Sequence, residues 1–170
     1  MTAIGDSAFE ALFNTHQPRV LSYLHRLSGD PELAADVTQE AFVRLYRRGD
    51  PPDDPGAWLI TVATNLFRNA RAKRSRRLRL LTPERGARAT GDCAAPPDAG
   101  VVSPRRRLAV RAALDALPER DRALLLLCAE GYRYREIATA LSLKETSVGT
   151  LLARAKRAFQ SAFGEAQRAS

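Results

Sequence analysis

The stretch YREIATALSLKETSVGTLLARAKRAF, residues 134–159, predicts two helices joined by a short turn. Its apolar residues recur three and four positions apart, as they do on one face of an amphipathic helix. Small Ala138 lies ten positions before Val148, a spacing that suits two helices crossing steeply, as in a helix-turn-helix. Six residues are expected on the inner faces of this pair: Ile137, Ala138, Leu141, Val148, Leu151 and Leu152.

The second of these helices begins with polar side chains. In a recognition helix this end meets base edges, whereas basic residues farther along bind phosphates. The candidates for base contacts are Lys144, Glu145, Thr146, Ser147 and Thr150. The candidates for phosphate contacts are Arg154, Lys156 and Arg157. An ordinary amphipathic hairpin with a solvated basic face has the same spacing, so the pattern alone leaves both interpretations open.

The rest of the chain also has helical periodicity. Four segments place a loop or capping residue before a proline at the first helical position: GDPELA, DDPGAW, VSPRRR and ALPERD. Alternation of apolar and polar residues is nowhere sustained, so the fold is expected to be all-α. Helices are predicted near residues 7–28, 31–48, 55–80, 105–116, 118–130, 134–141 and 145–163.

The segment TPERGARATGDCAAPPDAGVVSP, residues 82–104, is rich in Pro, Gly and Ala and has no periodic apolar face. A structureless connection of this length is uncommon inside a compact unit. It therefore predicts a flexible linker between two small helical domains, residues 1–81 and 105–170.

Composition limits the possible partners. The 170 residues carry a net charge of +8, which favours an anionic partner such as nucleic acid or an acidic membrane surface. The N-terminus does not resemble a secretion signal, and the longest apolar run, residues 123–129, is too short to span a bilayer. We expect a cytoplasmic protein without stable membrane insertion. Few aromatics lie beside the arginine cluster, which disfavours a membrane-surface protein.

Residue types that carry enzymatic or metal chemistry are sparse. Cys93 and Cys128 are far apart and have no CxxC or Cys/His grouping, so neither a disulfide framework nor a zinc site is expected. Cys128 is expected in the core, and Cys93 in a loop. His16 and His25 are nine positions apart on a helix and therefore face different ways. We expect no metal, no cofactor and no enzymatic activity.

The helix predicted over residues 55–80 changes character along its length. An apolar stripe is formed by Leu59, Val62, Ala63, Leu66, Phe67 and Ala70. The opposite side carries Thr61, Asn65 and Asn69. Trp58 lies at their edge, where periodicity favours a core position over a platform for base stacking. Beyond Asn65 come seven Arg or Lys between positions 68 and 79, and there is no acid between Asp54 and Glu84. Such a block is often only solvated, but neighbouring amides that can bind base edges favour nucleic acid here.

The stretch DVTQEAFVRLYRR, residues 36–48, has a buried and an exposed side. We expect burial of Val37, Ala41, Phe42, Leu45 and Tyr46. The exposed row is Asp36, Gln39, Glu40, Val43 and Arg47. DNA would repel its carboxylates, so a partner for this row would be a basic protein. Periodicity alone favours a solvated surface with a weak pair between Glu40 and Arg44.

Three segments in this order resemble the extracytoplasmic-function (ECF) group of bacterial sigma-70 transcription initiation factors. They are AADVTQEAFVRLYRR, then PGAWLITVATNLFRNARAKRSRR, and after the linker ALPERDRALLLLCAEGYRYREIATALSLKETSVGTLLARAKRAF. The resemblance covers nearly the whole chain outside the linker and the extreme ends. It implies a region 2 in the first domain and a region 4, with the helix-turn-helix, in the second. The family's third region is replaced by the linker.

The resemblance implies a role for each surface. The exposed row of the stretch at residues 36–48 would bind the β′ clamp helices of core RNA polymerase. This row comprises Asp36, Gln39, Glu40, Val43 and Arg47. A pocket made by the loop at residues 47–57 and Asn65 would hold a flipped base of the −10 element. The −10 DNA surface would comprise Trp58, Thr61, Asn65, Arg68, Asn69, Lys73 and Arg76.

Region 4 would read the −35 element and contact the β flap, and the linker would extend towards the RNA exit channel. The DNA surface of region 4 would comprise Lys144, Glu145, Thr146, Ser147, Thr150, Arg154 and Arg157. The family also implies an anti-sigma factor as partner. The sequence departs from the family pattern at Gly149 and in the acidic, proline-rich PPDDP loop. The other interpretation of the chain is a stand-alone helix-turn-helix regulator, which would bind duplex DNA unaided.

Overall fold

The computed structural model describes residues 4–81 and 103–169, and every regular element in these two ranges is an α-helix. The all-α prediction is confirmed. The helices are α1 (Asp6–Ser28), α2 (Pro31–Arg48), α3 (Pro55–Leu81), α4 (Pro104–Ala116), α5 (Glu119–Ala129), α6 (Tyr134–Leu141) and α7 (Glu145–Ala169). Apart from Ser103 and Pro104, the predicted linker lies outside the described residues, as does Cys93.

The helix boundaries follow local start and stop signals. Pro31, Pro55 and Pro104 are the first residues of their helices, where a missing N–H costs nothing. Pro118 is instead the N-cap of α5, so this helix begins at Glu119, one residue later than predicted. Helix α1 ends at Gly29, whose φ of 67° is the left-handed conformation that glycine adopts readily. Helix α7 continues six residues beyond the predicted end at residue 163, to Ala169.

The chain divides into two compact units, Met1–Ala94 and Ala95–Ser170. The first unit is a three-helix arrangement in which α1, α2 and α3 each contact the other two. Its fully buried side chains include Tyr23, whose hydroxyl lies 3.3 Å from Thr64 Oγ1 across the core. The other apolar residues of this core are Ile4, Val20, Leu24, Leu27, Ala34, Val37, Ala41, Phe42, Leu45, Leu59, Ile60, Ala63 and Phe67.

The prediction that Tyr46 is buried is wrong. Its side chain is 38% exposed and packs edge-on against Phe9 of α1, with ring centroids 5.2 Å apart. Tyr46 lies at the margin of the apolar face of α2, so its burial depends on what α1 places beside it. Here α1 supplies a ring that covers only one side of the tyrosine.

The second unit packs α7 against α4, α5 and α6. The turn between α6 and α7 holds Ser142 in the left-handed conformation, with φ 55°, and Leu143 N–H donates to Ala138 O at 2.8 Å. Both helices bury the faces that were expected, although Leu151 is only half-buried. Cys128 is also half-buried rather than deep in the core. The helix-turn-helix prediction is confirmed.

Candidate functional site

The outward face of α2 carries the predicted polar row. Asp36, Gln39, Glu40 and Arg47 are exposed, and Val43 is half-buried. Glu40 also pairs with Arg44, whose Nε lies 2.8 Å from Glu40 Oε1. Both side chains of this pair are about half exposed, so the pair contributes at most about 1 kcal/mol to stability and leaves Glu40 accessible.

An apolar groove between α1 and α2 lies beside the polar row. The ring centroids of Phe13 and Phe42 are 4.9 Å apart, and Phe13, like Tyr46, is 38% exposed. Gln39 and Val43 belong to both the polar row and the groove. The groove is lined by Phe9, Phe13, Gln17, Leu21, Ala35, Thr38, Gln39, Phe42, Val43 and Tyr46. Sequence reasoning missed it, although Phe9 and Phe13 are spaced four apart on α1.

The outward face of α3 lines up most of the predicted −10 residues. At about 100° per residue, Trp58, Asn65, Asn69, Lys73 and Arg76 fall on one line along the helix. Asn65, Asn69, Lys73 and Arg76 are exposed, while Trp58, Thr61 and Arg68 are half-buried. Asn69, Lys73, Arg76 and Arg77 line an open concavity. Thr61 Oγ1 donates to Ala57 O at 2.7 Å, which leaves its oxygen lone pairs for other donors.

The corner between α2 and α3 places a cation against the chain's single tryptophan. Arg48 Cζ lies 5.8 Å from the centroid of the Trp58 ring, within reach of a cation–π interaction. Asp54 Oδ1 accepts a hydrogen bond from Ala57 N–H at 3.0 Å and so fixes the start of α3. Arg48 belongs to the loop at residues 47–57 that the resemblance assigned to the −10 pocket, but its contact with Trp58 was not predicted.

One carboxylate joins α2 to the basic half of α3. Asp30 is the N-cap of α2, where its Oδ1 accepts from Leu33 N–H at 3.1 Å, and its Oδ2 lies 2.9 Å from Arg74 Nη1. The Leu33 hydrogen bond, assisted by Arg74, holds the pKa of the Asp30 carboxyl below its ordinary value of 3.8, although partial burial opposes this. The two residues are far apart in sequence, and no sequence pattern predicted their contact.

The first turns of α7 present the predicted −35 residues. Lys144, Glu145, Thr146 and Thr150 are exposed at or near the start of the helix, and Ser147 is half-buried. Arg154 and Arg157 are exposed two to three turns farther along. A Cβ on Gly149 would lie 3.5 Å from Tyr134 Cε2, an ordinary contact distance. The Tyr134 ring, 47% exposed at the start of α6, therefore lies against the recognition helix.

Metal sites and membrane spans are both absent from the described ranges. No group of three or more His, Cys, Asp or Glu side chains there is placed to hold a metal ion. None of the described helices is both long and apolar enough to cross a membrane.

Two family models match the chain in the order of its two units. Sigma-70 region 2 matches residues 12–77, and Sigma-70 region 4 matches residues 107–159. Together they define an RNA polymerase sigma factor of the sigma-70 class. The first match contains α2 and most of α3, and the second contains the helix-turn-helix.

Curated relatives refine this assignment. The ECF sigma factor SigE of Mycolicibacterium smegmatis is 35% identical over 167 residues, which cover 93% of this chain and 63% of SigE. CarQ of Myxococcus xanthus is 35% identical over 160 residues, covering 90% of this chain and 86% of CarQ. SigL of Mycobacterium tuberculosis, also an ECF factor, is 31% identical over 155 residues, covering 88% and 85%. The chain belongs to the ECF group of RNA polymerase sigma factors.

A solved structure supports the same fold. The sigma factor RpoE of Bartonella quintana, in complex with the anti-sigma factor NepR, superposes with a TM-score of 0.77 at 18% identity. The match covers 93% of this chain and 98% of RpoE. The family models and the curated relatives, which name sigma factors, favour a transcription initiation factor over a stand-alone regulator.

Proposed function

We propose that this chain binds core RNA polymerase and directs promoter-specific initiation. The observation that carries the proposal is the separation of two chemically different surfaces within one three-helix unit. Helix α2 presents a partly acidic row beside an apolar groove, whereas the outward face of α3 combines amides with basic residues. One surface suits a protein partner, and the other suits nucleic acid.

Core polymerase is the proposed partner of α2. An apolar centre with a polar rim is the usual anatomy of a protein interface, and the groove and the row provide both. Asp36, Gln39, Glu40, Val43 and Arg47 would contact the β′ clamp helices. The carboxylates favour a basic partner surface and disfavour DNA.

The −10 element is the proposed ligand of α3. Its DNA surface comprises Trp58, Thr61, Asn65, Arg68, Asn69, Lys73 and Arg76. Flipping a base out of the duplex costs a few kcal/mol of stacking, which a pocket beside Asn65 and backbone contacts to the basic residues would offset. The basic residues hold phosphates, and the amides provide hydrogen bonds to base edges.

The −35 element is the proposed ligand of α7. Base edges would meet Lys144, Glu145, Thr146, Ser147 and Thr150, and phosphates would meet Arg154 and Arg157. These groups follow one another along the helix, in the order that a recognition helix in the major groove requires. In the proposed division of the chain, residues 1–81 form region 2 and residues 105–170 form region 4.

Two further partners and a cellular location are proposed for this chain. The similarity to a sigma factor solved with an anti-sigma factor supports such a partner for this chain too, and the β flap is the proposed contact of region 4. A factor that works with polymerase on chromosomal DNA acts in the cytoplasm. It performs no covalent chemistry of its own.

The experiment is in vitro transcription from a pool of genomic promoter fragments, using purified core RNA polymerase with and without the chain. Transcripts that require the chain are expected, and their start sites would reveal the −10 and −35 sequences. If no such transcripts appeared while the chain alone bound duplex DNA, a stand-alone regulator would replace the proposal.

Three variants assign the surfaces in the same assay. Asp36→Arg is expected to weaken polymerase binding, Asn65→Ala to slow promoter opening after normal holoenzyme assembly, and Arg154→Ala with Arg157→Ala to weaken −35 binding. The matched controls change exposed residues elsewhere: Glu165→Arg, Asn14→Ala and Arg168→Ala. A variant that behaves like its control removes that surface from the proposal.

A further inference from the structure

We propose that Asp30 withholds Arg74 from nucleic acid, so that the basic half of α3 binds DNA through the Asn69, Lys73, Arg76 and Arg77 concavity and not through Arg74. The inference rests on the proposed function of α3. Arg74 is then a positioning residue that fixes the basic half of α3 against α2.

The position of Arg74 on α3 sets it apart from its basic neighbours. Phe67, which is only 1% exposed, lies seven positions earlier, so Arg74 continues the core-facing line of the helix. Arg76 lies two positions later, about 200° around the helix axis, and faces almost the opposite way. Asn69 and Lys73 also lie about 100° or more from Arg74, whereas Arg77 lies only about 60° from it. A phosphate held on the Asn69, Lys73 and Arg76 side of the concavity is therefore out of the direction in which Arg74 extends.

The carboxylate that holds Arg74 is itself fixed. Asp30 Oδ1 caps α2 through Leu33 N–H, and the Asp30 backbone N–H donates to Ser28 Oγ at 3.0 Å. The Ser28 hydroxyl donates in turn to Asp30 O at 3.0 Å. The Asp30 side chain is 29% exposed, against 56% for Arg74. A rigid, partly covered acceptor loses little conformational entropy in the pair, so only the arginine has to be ordered.

A pair of equivalent substitutions on one helix tests the proposal. Arg74→Gln and Arg76→Gln each remove one guanidinium, and binding of the full chain to a labelled single-stranded oligonucleotide is measured by anisotropy over a salt series. Arg76→Gln is expected to weaken binding and to lower the slope of log K against log salt by about 0.7, the loss of one phosphate contact. Arg74→Gln is expected to change neither quantity.

The second half of the test releases Arg74. Asn caps helices as well as Asp does, so Asp30→Asn removes the charge that holds Arg74 and keeps the cap. In this background Arg74→Gln is now expected to lower the salt slope by about 0.7. Glu32→Gln is the control for the added positive charge, because Glu32 is exposed in the first turn of the same helix. It should leave Arg74→Gln without effect.

The outcomes are distinct. Equal losses from Arg74→Gln and Arg76→Gln in the otherwise unchanged chain would show that Arg74 already binds DNA, which overturns the inference. An Arg74→Gln variant that is silent in both backgrounds also overturns it, because Asp30 then withholds nothing. Lys73→Gln, measured in the same way, tests a second residue of the concavity. If Arg76→Gln and Lys73→Gln are both silent, the basic face of α3 does not bind nucleic acid, and the proposed function of α3 fails together with the inference.

Discussion

Helices α3 and α7 have nearly the same length, 27 and 25 residues, but they are anchored differently. On α3 the buried face ends near Phe67, and every residue from 71 to 79 is exposed. On α7 the apolar face continues past Val148, Leu152 and Ala155 to a stacked pair, Phe159 and Phe163, with centroids 5.8 Å apart. The basic half of α3 is joined to Asp30 by an ion pair at Arg74, whereas α7 keeps half-buried apolar rings, Phe159 and Phe163, far along its length.

This difference gives the two proposed DNA surfaces different characters. Residues 71–79 of α3 are all exposed, so the charged side chains of this segment face solvent on every side of the helix. Helix α3 carries seven Arg or Lys between positions 68 and 79, without an intervening acid. Such a surface binds phosphates of any sequence. A helix packed along its length has only one free face, and α7 uses the first turns of that face for short polar side chains, which suit base edges.

The largest expected effect is loss of the apolar anchor of α3. Phe67→Ala removes a fully buried ring and should destabilise the first unit by about 3–5 kcal/mol. The corresponding change on α7, Phe163→Ala, removes a half-buried ring and should cost about 1–2 kcal/mol. Denaturant unfolding followed by far-UV circular dichroism measures both. Phe13→Ala, which removes an exposed ring from the first unit, is the control. If Phe67→Ala destabilised the unit no more than Phe13→Ala does, Phe67 would not be the apolar anchor of α3.

A smaller effect is expected inside α7. Gly149→Ala should stabilise the second unit by about 0.5–1 kcal/mol, because glycine is a poor helix former and the new methyl group meets Tyr134 at an ordinary distance. Thermal unfolding measures the gain. Gly164→Ala makes the same change later in the helix, where the nearest atom is Arg168 Nη1 at 3.8 Å, and should also stabilise. If Gly149→Ala destabilised the unit while Gly164→Ala did not, the new methyl group would not fit beside the Tyr134 ring.

The smallest effect concerns the ionic anchor of α3 and depends on pH. The folded pKa of Asp30 is depressed, so its contribution to stability is complete above its ordinary value of 3.8 and is lost as pH falls through the depressed value. Because Arg74 is more than half exposed, the contribution should stay below about 1 kcal/mol. The stability difference between the unchanged chain and Asp30→Asn, measured from pH 6 downwards, should therefore shrink towards low pH. A difference that is constant with pH would exclude the carboxylate charge as its source.

Much of the fold could be predicted because its signals are local. Pro31, Pro55 and Pro104 start helices by fixing the backbone angle, and the spacing of Ala138 and Val148 indicates the helix-turn-helix. These features depend on residues within a turn or two of each other. The candidate DNA residues of α3 and α7 could be grouped by face for the same reason.

Three of the missed features depend on contacts between residues that are distant in sequence. Tyr46 is exposed because of where Phe9 lies on another helix, and the apolar groove exists only once α1 and α2 are packed. Asp30 has an ordinary capping signal, yet its second oxygen meets Arg74, 44 positions later. One-dimensional periodicity gives the face on which a residue lies, but not the residue that meets it from another helix.

The stacking of Arg48 on Trp58 gives the chain a built-in optical reporter. Trp58 is its single tryptophan, so all indole emission comes from the corner between α2 and α3, beside the proposed −10 surface. The emission of an indole depends on the charge and polarity around it. A ligand that displaces the Arg48 guanidinium, or that stacks on the ring, would change the emission of the unlabelled protein, so occupancy of this corner can be followed in real time without attaching a dye.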